Sequence, residues 1–279
     1  MNVIDIQQIC VKIDGQSLLY DIDLQAEAGS FVGLIGPNGS GKSTLLRTAA
    51  GFIKPHQGRI YVRSKSITEH SRKELARIVG YVPQDTAVDF DFAAKDIVLM
   101  GRHAYVSRFR EESRSDLEAA ERAMKLTATL HLADRPVTRL SGGQRQMIFI
   151  AKALAQNPHL LLLDEPISAL DIRYQLHVLA LLRKLADEGM TVIAALHDLN
   201  LSARYCDKLV LLTEGEIMHA GSPSEVLTPL KLRLAYGVRA RVQPDPWFGW
   251  PTVTAVGNAP GSPGNPFDPY PQEMEETTQ

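Results

Sequence analysis

The sequence predicts an α/β fold: a mainly parallel sheet covered on both faces, with a helical insert. Three observations lead there. Short, wholly apolar runs alternate with stretches of helical periodicity. A glycine-rich loop lies between one such run and a helical segment. Residues 87–140 interrupt the alternation with charged, helix-favouring sequence.

The elements follow in order. Ile4 and Ile6, then Ile9, Val11 and Ile13, fall at every second position, as in a half-buried strand, and Ile22 and Leu24 mark another. Phe31-Val32-Gly33-Leu34-Ile35 is a short apolar run that reads as a buried strand. In the insert, Ser115 and Glu118 have capping-box spacing, and Leu117, Ala120 and Met124 follow at helical spacing. The next helix presents Met147, Ile150, Ala151 and Leu154 on one face and stops at Asn157-Pro158. Leu160 to Leu163 form an apolar strand, and a helix with Ile172, Leu176, Leu179 and Leu182 on one side ends near Gly189. Residues 191–196 are another buried strand. Residues 208–213 and 216–220 form a hairpin around Gly215. Ser222-Pro223-Ser224-Glu225 has the cap, proline and glutamate of a helix start. From about Pro244 the character changes: eight of the 16 prolines and both tryptophans lie there, and disorder is expected from about residue 258.

Bulk properties narrow the function. A chain of 279 residues with 44% hydrophobic and 22% charged residues can bury a sizeable core. A net charge of −2 gives no basic field, so nucleic acid is not an expected partner. Cys10 and Cys206 are far apart and form no CxxC pair, which fits a reducing compartment better than a disulfide or zinc framework. The first residues lack the pattern of a secretory signal, and no run approaches 18 apolar residues. Work at a membrane would therefore need another chain to supply the pore.

Two motifs and a signature-like string carry the chemistry. Gly36-Pro37-Asn38-Gly39-Ser40-Gly41-Lys42-Ser43-Thr44 fits GxxxxGK[ST] between a strand and a helix. Glycines let backbone amides converge on a phosphate, and the helix points its positive end at the same anion. Lys42 adds a charge for the β- and γ-phosphates, and the Ser43 hydroxyl suits Mg²⁺. Leu160-Leu161-Leu162-Leu163-Asp164-Glu165 ends an apolar strand in two acids, at the sheet edge where ligands of open α/β sheets bind. Asp164 suits Mg²⁺ and Glu165 is placed as a general base for water. Leu140-Ser141-Gly142-Gly143-Gln144 opens a helix and forms a second anion seat. One chain needs only one seat per triphosphate, so this one is assigned to ATP held by another subunit. Gln84 follows the strand-like Val79-Gly80-Tyr81-Val82 and can reach the metal or the water. His197 follows the strand at 191–196 and can contact γ-phosphate. Asp171 is a helix N-cap or a contact across a subunit boundary, or both.

The ordered set GPNGSGKST, Gln84, LSGGQ, LLLLDEP, SALD and His197 resembles the nucleotide-binding subunits of ABC transporters. The resemblance covers about residues 1–240 and implies a RecA-like P-loop ATPase core with a mixed sheet and a helical subdomain, inserted at about 87–145. Residues 241–279 are then a C-terminal extension. It implies ATP and Mg²⁺ as cofactors, with Ser43, Gln84 and Asp164 toward the metal and Lys42, Gln84, Glu165 and His197 in catalysis. Ser141, Gly142, Gly143 and Gln144 would act in trans in a homodimer. It also implies transmembrane permease subunits, indirectly a substrate-binding protein, and a place on the cytoplasmic face of the inner membrane. Leu99-Met100-Gly101-Arg102, the stretch 169–175 and the stretch 196–207 resemble ATPases of importers for iron(III)-siderophores, haem and cobalamin. Haem or cobalamin as cargo, an exporter, a non-transport ABC ATPase and a non-hydrolysing regulator remain the competing readings. One departure stands out: 11–15 offers no aromatic residue for adenine, leaving Ile13 or a neighbour to pack it.

Overall fold

The computed structural model describes residues 2–106 and 112–259. Strands β1 (Asn2–Ile13) and β2 (Gln16–Glu27) form a long hairpin. Its two-residue turn sets Asp14 at φ 50° and Gly15 at φ 81°, the paired left-handed geometry of a tight hairpin. β3 (Phe31–Ile35), α1 (Lys42–Ala49), β4 (Gln57–Val62), β5 (Lys65–Ser66), α2 (Arg72–Ile78) and β6 (Val79–Val82) follow. The insert contributes α3 (Ala94–Leu99) and α4 (Arg114–Leu126). Then come α5 (Gly142–Ala155), β7 (Leu160–Leu163), α6 (Ile172–Asp187), β8 (Thr191–Ala195), α7 (Leu199–Tyr205), β9 (Lys208–Thr213) and β10 (Glu216–Gly221). The described chain closes with α8 (Pro223–Val226), α9 (Pro229–Tyr236), β11 (Val238–Pro244) and β12 (Pro251–Asn258).

The central sheet has the order β10-β9-β3-β8-β7-β6, parallel except for the β10 edge. The pleat sends alternate residues to opposite faces. Val32, Leu34, Leu160, Leu162, Ile193 and Val210 face α1 and the antiparallel sheet β2-β1-β4-β5. Phe31, Ile35, Leu161, Leu163, Val192 and Leu211 face α5, α6 and the insert. The double cover expected from sequence is present, and much of one cover is a second sheet rather than helices. The mixed-sheet α/β core and helical insert agree with the RecA-like P-loop expectation.

The insert is anchored by charge. The buried Arg102 donates to Asp116 at 2.9 Å and to the Ala155 carbonyl at 2.8 Å. Its guanidinium lies 3.6 Å from the centre of the Tyr105 ring. Gly101 is needed beside it, since a Cβ there would sit 2.1 Å from the Lys152 carbonyl oxygen.

Two local expectations are corrected. α4 is capped by Ser113 with Asp116, not by Ser115 with Glu118. Asp116 occupies the first place of the buried stripe because Arg102 compensates its charge, and Leu117 is left 54% exposed. Ile172, placed by periodicity on the core face of α6, is its first residue and is 72% exposed. The chain around position 240 continues in an ordered hairpin, β11–β12, joined to α9. The disorder expected from about 258 concerns residues that lie, after 259, outside those described.

Removing Asp116 would strand the buried Arg102, so Asp116→Ala should cost about 3–5 kcal/mol in urea unfolding at pH 7. The Ser113 hydroxyl, followed by Arg102, holds the Asp116 carboxyl below its usual pKa against the opposing effect of burial. A lowered carboxyl stabilises fully above the unfolded-state pKa and loses that contribution as pH falls through the folded one. The gap between wild type and variant should therefore narrow below about pH 4.

Candidate active site

β3, β6, β7 and β8 run parallel, so their carboxyl ends open on one edge of the sheet. That edge carries the loop 36–41 after β3, Gln84 after β6, Asp164 and Glu165 after β7, and His197 after β8. Sequence-distant groups are thus gathered by strand direction alone.

The loop needs its glycines. Gly36 has φ 147°, and a Cβ there would lie 2.1 Å from the Leu212 carbonyl oxygen. Gly41 caps α1 at φ 102°, a left-handed geometry that L side chains avoid. Lys42 folds back across the loop, donating to the carbonyls of Gly36 at 2.8 Å and Pro37 at 2.9 Å. Burial lowers the pKa of its ammonium, while the charges of Glu165 and Asp164 oppose that shift.

Asp164 is buried at the end of β7, where the Ser43 hydroxyl donates to it at 2.8 Å and the Tyr81 hydroxyl at 3.3 Å. Ser43 and Asp164 thus offer two hard oxygen donors side by side. No cluster of three or more His, Cys, Asp or Glu able to hold a metal occurs among the described residues. The pair suits Mg²⁺, which uses one or two protein oxygens and takes the rest from phosphate and water.

Glu165 is clasped from both sides. Gln84 donates to one carboxylate oxygen at 2.6 Å, and His197 Nε2 lies 2.5 Å from the other. Its backbone sits at φ 49°, a left-handed strain for a non-glycine residue that is commonly stored at functional sites. These groups line a cleft of about 690 Å³ together with residues 38–44 and Leu18.

Ser141, Gly142 and Gly143 do not line that cleft. They form the N-terminus of α5, where Ser141 accepts from the Gln144 amide at 3.3 Å and Gln144 accepts from the Ser141 amide at 3.1 Å. Gly142 faces open space, while a Cβ on Gly143 would meet the Tyr174 ring at 2.4 Å. Asp171 caps α6 by accepting from the Tyr174 amide at 3.0 Å. Tyr174 therefore ties the Asp171 turn to the glycine tip of α5.

Three further residues shape these surfaces without a functional signal in the sequence. Tyr81 reads only as strand, yet its pleat position aims its hydroxyl at Asp164. Leu18 lines the cleft where the alternation of β2 breaks at Leu18-Leu19, and Ile13 does not. Tyr174 carries no signal of its own in the sequence, because its contact with the α5 tip depends on how α6 packs beside it.

A phosphate-binding loop, a buried acid beside its serine and a clasped glutamate at the edge of a parallel sheet define a P-loop nucleotide-binding protein. Residues 19–168 match the ABC transporter family. The chain is also 37% identical over 260 residues to the ferric enterobactin transport ATP-binding protein FepC of Escherichia coli K12, covering 93% of this chain and 96% of that protein. The chain belongs to the ABC transporter family, among its ATP-binding subunits.

Other relatives carry different names. The cobalamin import ATP-binding protein BtuD of Halobacterium salinarum is 42% identical over 254 residues, which is 91% of this chain but 63% of that protein's length. The hemin import ATP-binding protein HmuV of Gloeobacter violaceus is 39% identical over 258 residues, covering 90% and 93%. Among solved structures, an ABC transporter in an inward-facing conformation superposes with a TM-score of 0.81 at 30% identity, covering 92% of this chain and 98% of that one. A dimeric bacterial ABC transporter cassette superposes with a TM-score of 0.69 at 29% identity, covering 79% and 98%.

The two signature glycines should respond differently to substitution. Gly143→Ala drives a methyl into the Tyr174 ring and should cost about 1–3 kcal/mol by overpacking. Gly142→Ala should leave the melting temperature unchanged, because its Cβ meets nothing. Thermal melts of both variants check this contrast.

Proposed function

We propose that the chain is the ATP-hydrolysing subunit of an importer for a metal chelate, with iron(III)-siderophore as the favoured cargo. Glu165 between Gln84 and His197, facing the phosphate loop, carries the hydrolytic part of this reading. The cargo class is supported by the relatives named above. Haem and cobalamin are the alternative cargoes, since subunits named for both are at least as similar to this chain as FepC is.

In the proposed site the amides of the loop and Lys42 bind the phosphates of ATP, and Leu18 offers the base an apolar surface. Ser43 and Asp164, with Gln84 nearby, would hold Mg²⁺, which when bound supplies charge neutralisation at the phosphates. Glu165 accepts a proton from the attacking water. Gln84 and His197 fix its two oxygens so that it meets the water in one orientation.

The second anion seat needs a second chain. Ser141 and Gly142 are exposed, lie outside their own cleft and neighbour the exposed Asp171 and Ile172 through Tyr174. A head-to-tail homodimer would place this surface over the partner's phosphate loop, so that ATP binds the two copies together. The dimeric cassette among the structural relatives supports that arrangement.

A second cleft, of about 700 Å³, suits the permease. It is lined by Phe52, Leu75, Tyr81, Pro83 and Lys152, between α2, β6 and α5. Phe52 is 64% exposed and packs edge-on against Tyr81 at 5.0 Å. Pro83 adjoins Gln84, and Tyr81 touches Asp164, so movement in this cleft would reach both acids. Among the described residues no helix is long and apolar enough to cross a membrane. The proposed subunit sits peripherally on the cytoplasmic face, held by its permease, with a substrate-binding protein acting from the far side.

Glu165→Gln should keep MgATP binding, lower turnover by about 10²–10⁴-fold, and accumulate dimer when ATP is added. ATPase assays and size-exclusion chromatography with light scattering read these outcomes, and wild-type turnover would remove Glu165 from its role. Cargo is read by reconstituting the subunit with its permease and finding which loaded binding protein stimulates hydrolysis.

A further inference from the structure

The C-terminal hairpin β11–β12 takes no part in the site described above, yet it touches the segment that carries His197. Asn200 lies three residues after that histidine, in the first turn of α7. Its side-chain amide pairs with the backbone of Val253 in both directions. Oδ1 accepts from the Val253 amide at 2.7 Å, and Nδ2 donates to the Val253 carbonyl at 3.2 Å. The side chain thereby acts as the strand neighbour that β12 otherwise lacks on that edge. One turn further along α7, the Arg204 guanidinium lies 5.5 Å from the centre of the Trp250 ring, in the turn just before the same strand. Two successive turns of α7 are therefore fastened to the hairpin.

The other end of the connection reaches the phosphate loop. α9 ends in Tyr236, whose buried hydroxyl faces the backbone of Gly36 without meeting full hydrogen-bond geometry. Gly237 follows at φ 66° and turns the chain into β11. The unit formed by α9, β11 and β12 thus spans from the first glycine of the loop to the turn that holds His197.

α7 has only seven residues, and the two that are buried, Ser202 and Ala203, lie at and after its midpoint, away from the His197 end. Its N-terminus is tied locally by Asp198, which accepts from the Leu201 amide at 2.8 Å. That bond shapes the turn but does not fix it relative to the sheet, whereas the Asn200–Val253 pair joins it to a separate element.

We propose that Asn200 is a positioning residue for hydrolysis: by fastening the His197 turn to the C-terminal hairpin, it keeps His197 within hydrogen-bond reach of Glu165. The proposal rests on Glu165 and His197 acting in ATP hydrolysis. It makes residues 238–258 a working part of the catalytic apparatus.

The test uses the full chain and MgATP, with kcat, KM and melting temperature measured for wild type, Asn200→Ala, Asn200→Asp, His197→Ala and the double variant Asn200→Ala/His197→Ala. Misplacement of a catalytic group by about 1 Å can cost about 10²-fold, so Asn200→Ala should lower kcat by about tenfold or more with KM within about twofold. Asn200→Asp retains the acceptor for the shorter bond and should fall between wild type and Asn200→Ala. In the His197→Ala background, Asn200→Ala should add nothing, because both changes remove one coupled function. The proposal is overturned if Asn200→Ala leaves kcat unchanged, if it lowers kcat equally in both backgrounds, or if Asn200→Asp, folded as wild type, is no better than Asn200→Ala. A wild-type kcat in His197→Ala alone would instead overturn the catalytic reading of that histidine, and the proposal with it.

Discussion

The structure depends on one electrostatic constraint: an ammonium and two carboxylates are brought together where parallel strands end, and none can be left unsatisfied. Asp164 is buried, and a buried carboxylate without partners would be strongly disfavoured. Ser43 and Tyr81 supply those partners from α1 and β6. Lys42 meets the same demand with loop carbonyls. Each group is held by a different element, so the packing of the sheet and the polarity of the site enforce each other. The left-handed backbone at Glu165 is tolerated because β7 before it and the turn after it are both fixed.

Much of this was legible in the sequence, for identifiable reasons. A parallel strand buried on both faces must be apolar throughout, so Phe31–Ile35 and Leu160–Leu163 announced themselves. Glycines in the phosphate loop were readable because φ 147° at Gly36 and φ 102° at Gly41 exclude other residues. What failed was reading where charge hides in an apolar pattern. Asp116 belongs to the buried stripe of α4 only because Arg102, fourteen residues earlier, neutralises it. A stripe counted from hydrophobic residues alone therefore shifts to Leu117 and mistakes the cap. β11 was missed differently. Val238, Ala240 and Val242 alternate with Arg239, Arg241 and Gln243, a plain strand signal, but the proline-rich composition that follows obscured it. The contacts of Tyr81 and Tyr174 could not be read at all, because each depends on which distant element packs opposite.

The helical insert joins the core by a mechanism unlike the rest of the fold. Apolar contact holds α3 and α4 against α5, but the polar bridge from Arg102 to Asp116 and the Ala155 carbonyl fixes their angle. Hydrophobic packing alone tolerates sliding, whereas a guanidinium with directed bonds and a stacked ring does not.

The capping box of Ser141 and Gln144 has a consequence for a subunit on its own. The helix tip that would face a partner's nucleotide already satisfies two of its own end groups internally, through Ser141 and Gln144. Lys42 likewise finds neighbours within its own loop. At the Ser141 tip and at Lys42, each half of the proposed assembly thus has polar partners of its own when solitary. Reversible association requires that property: the apart state must be comfortable enough to be visited on every cycle.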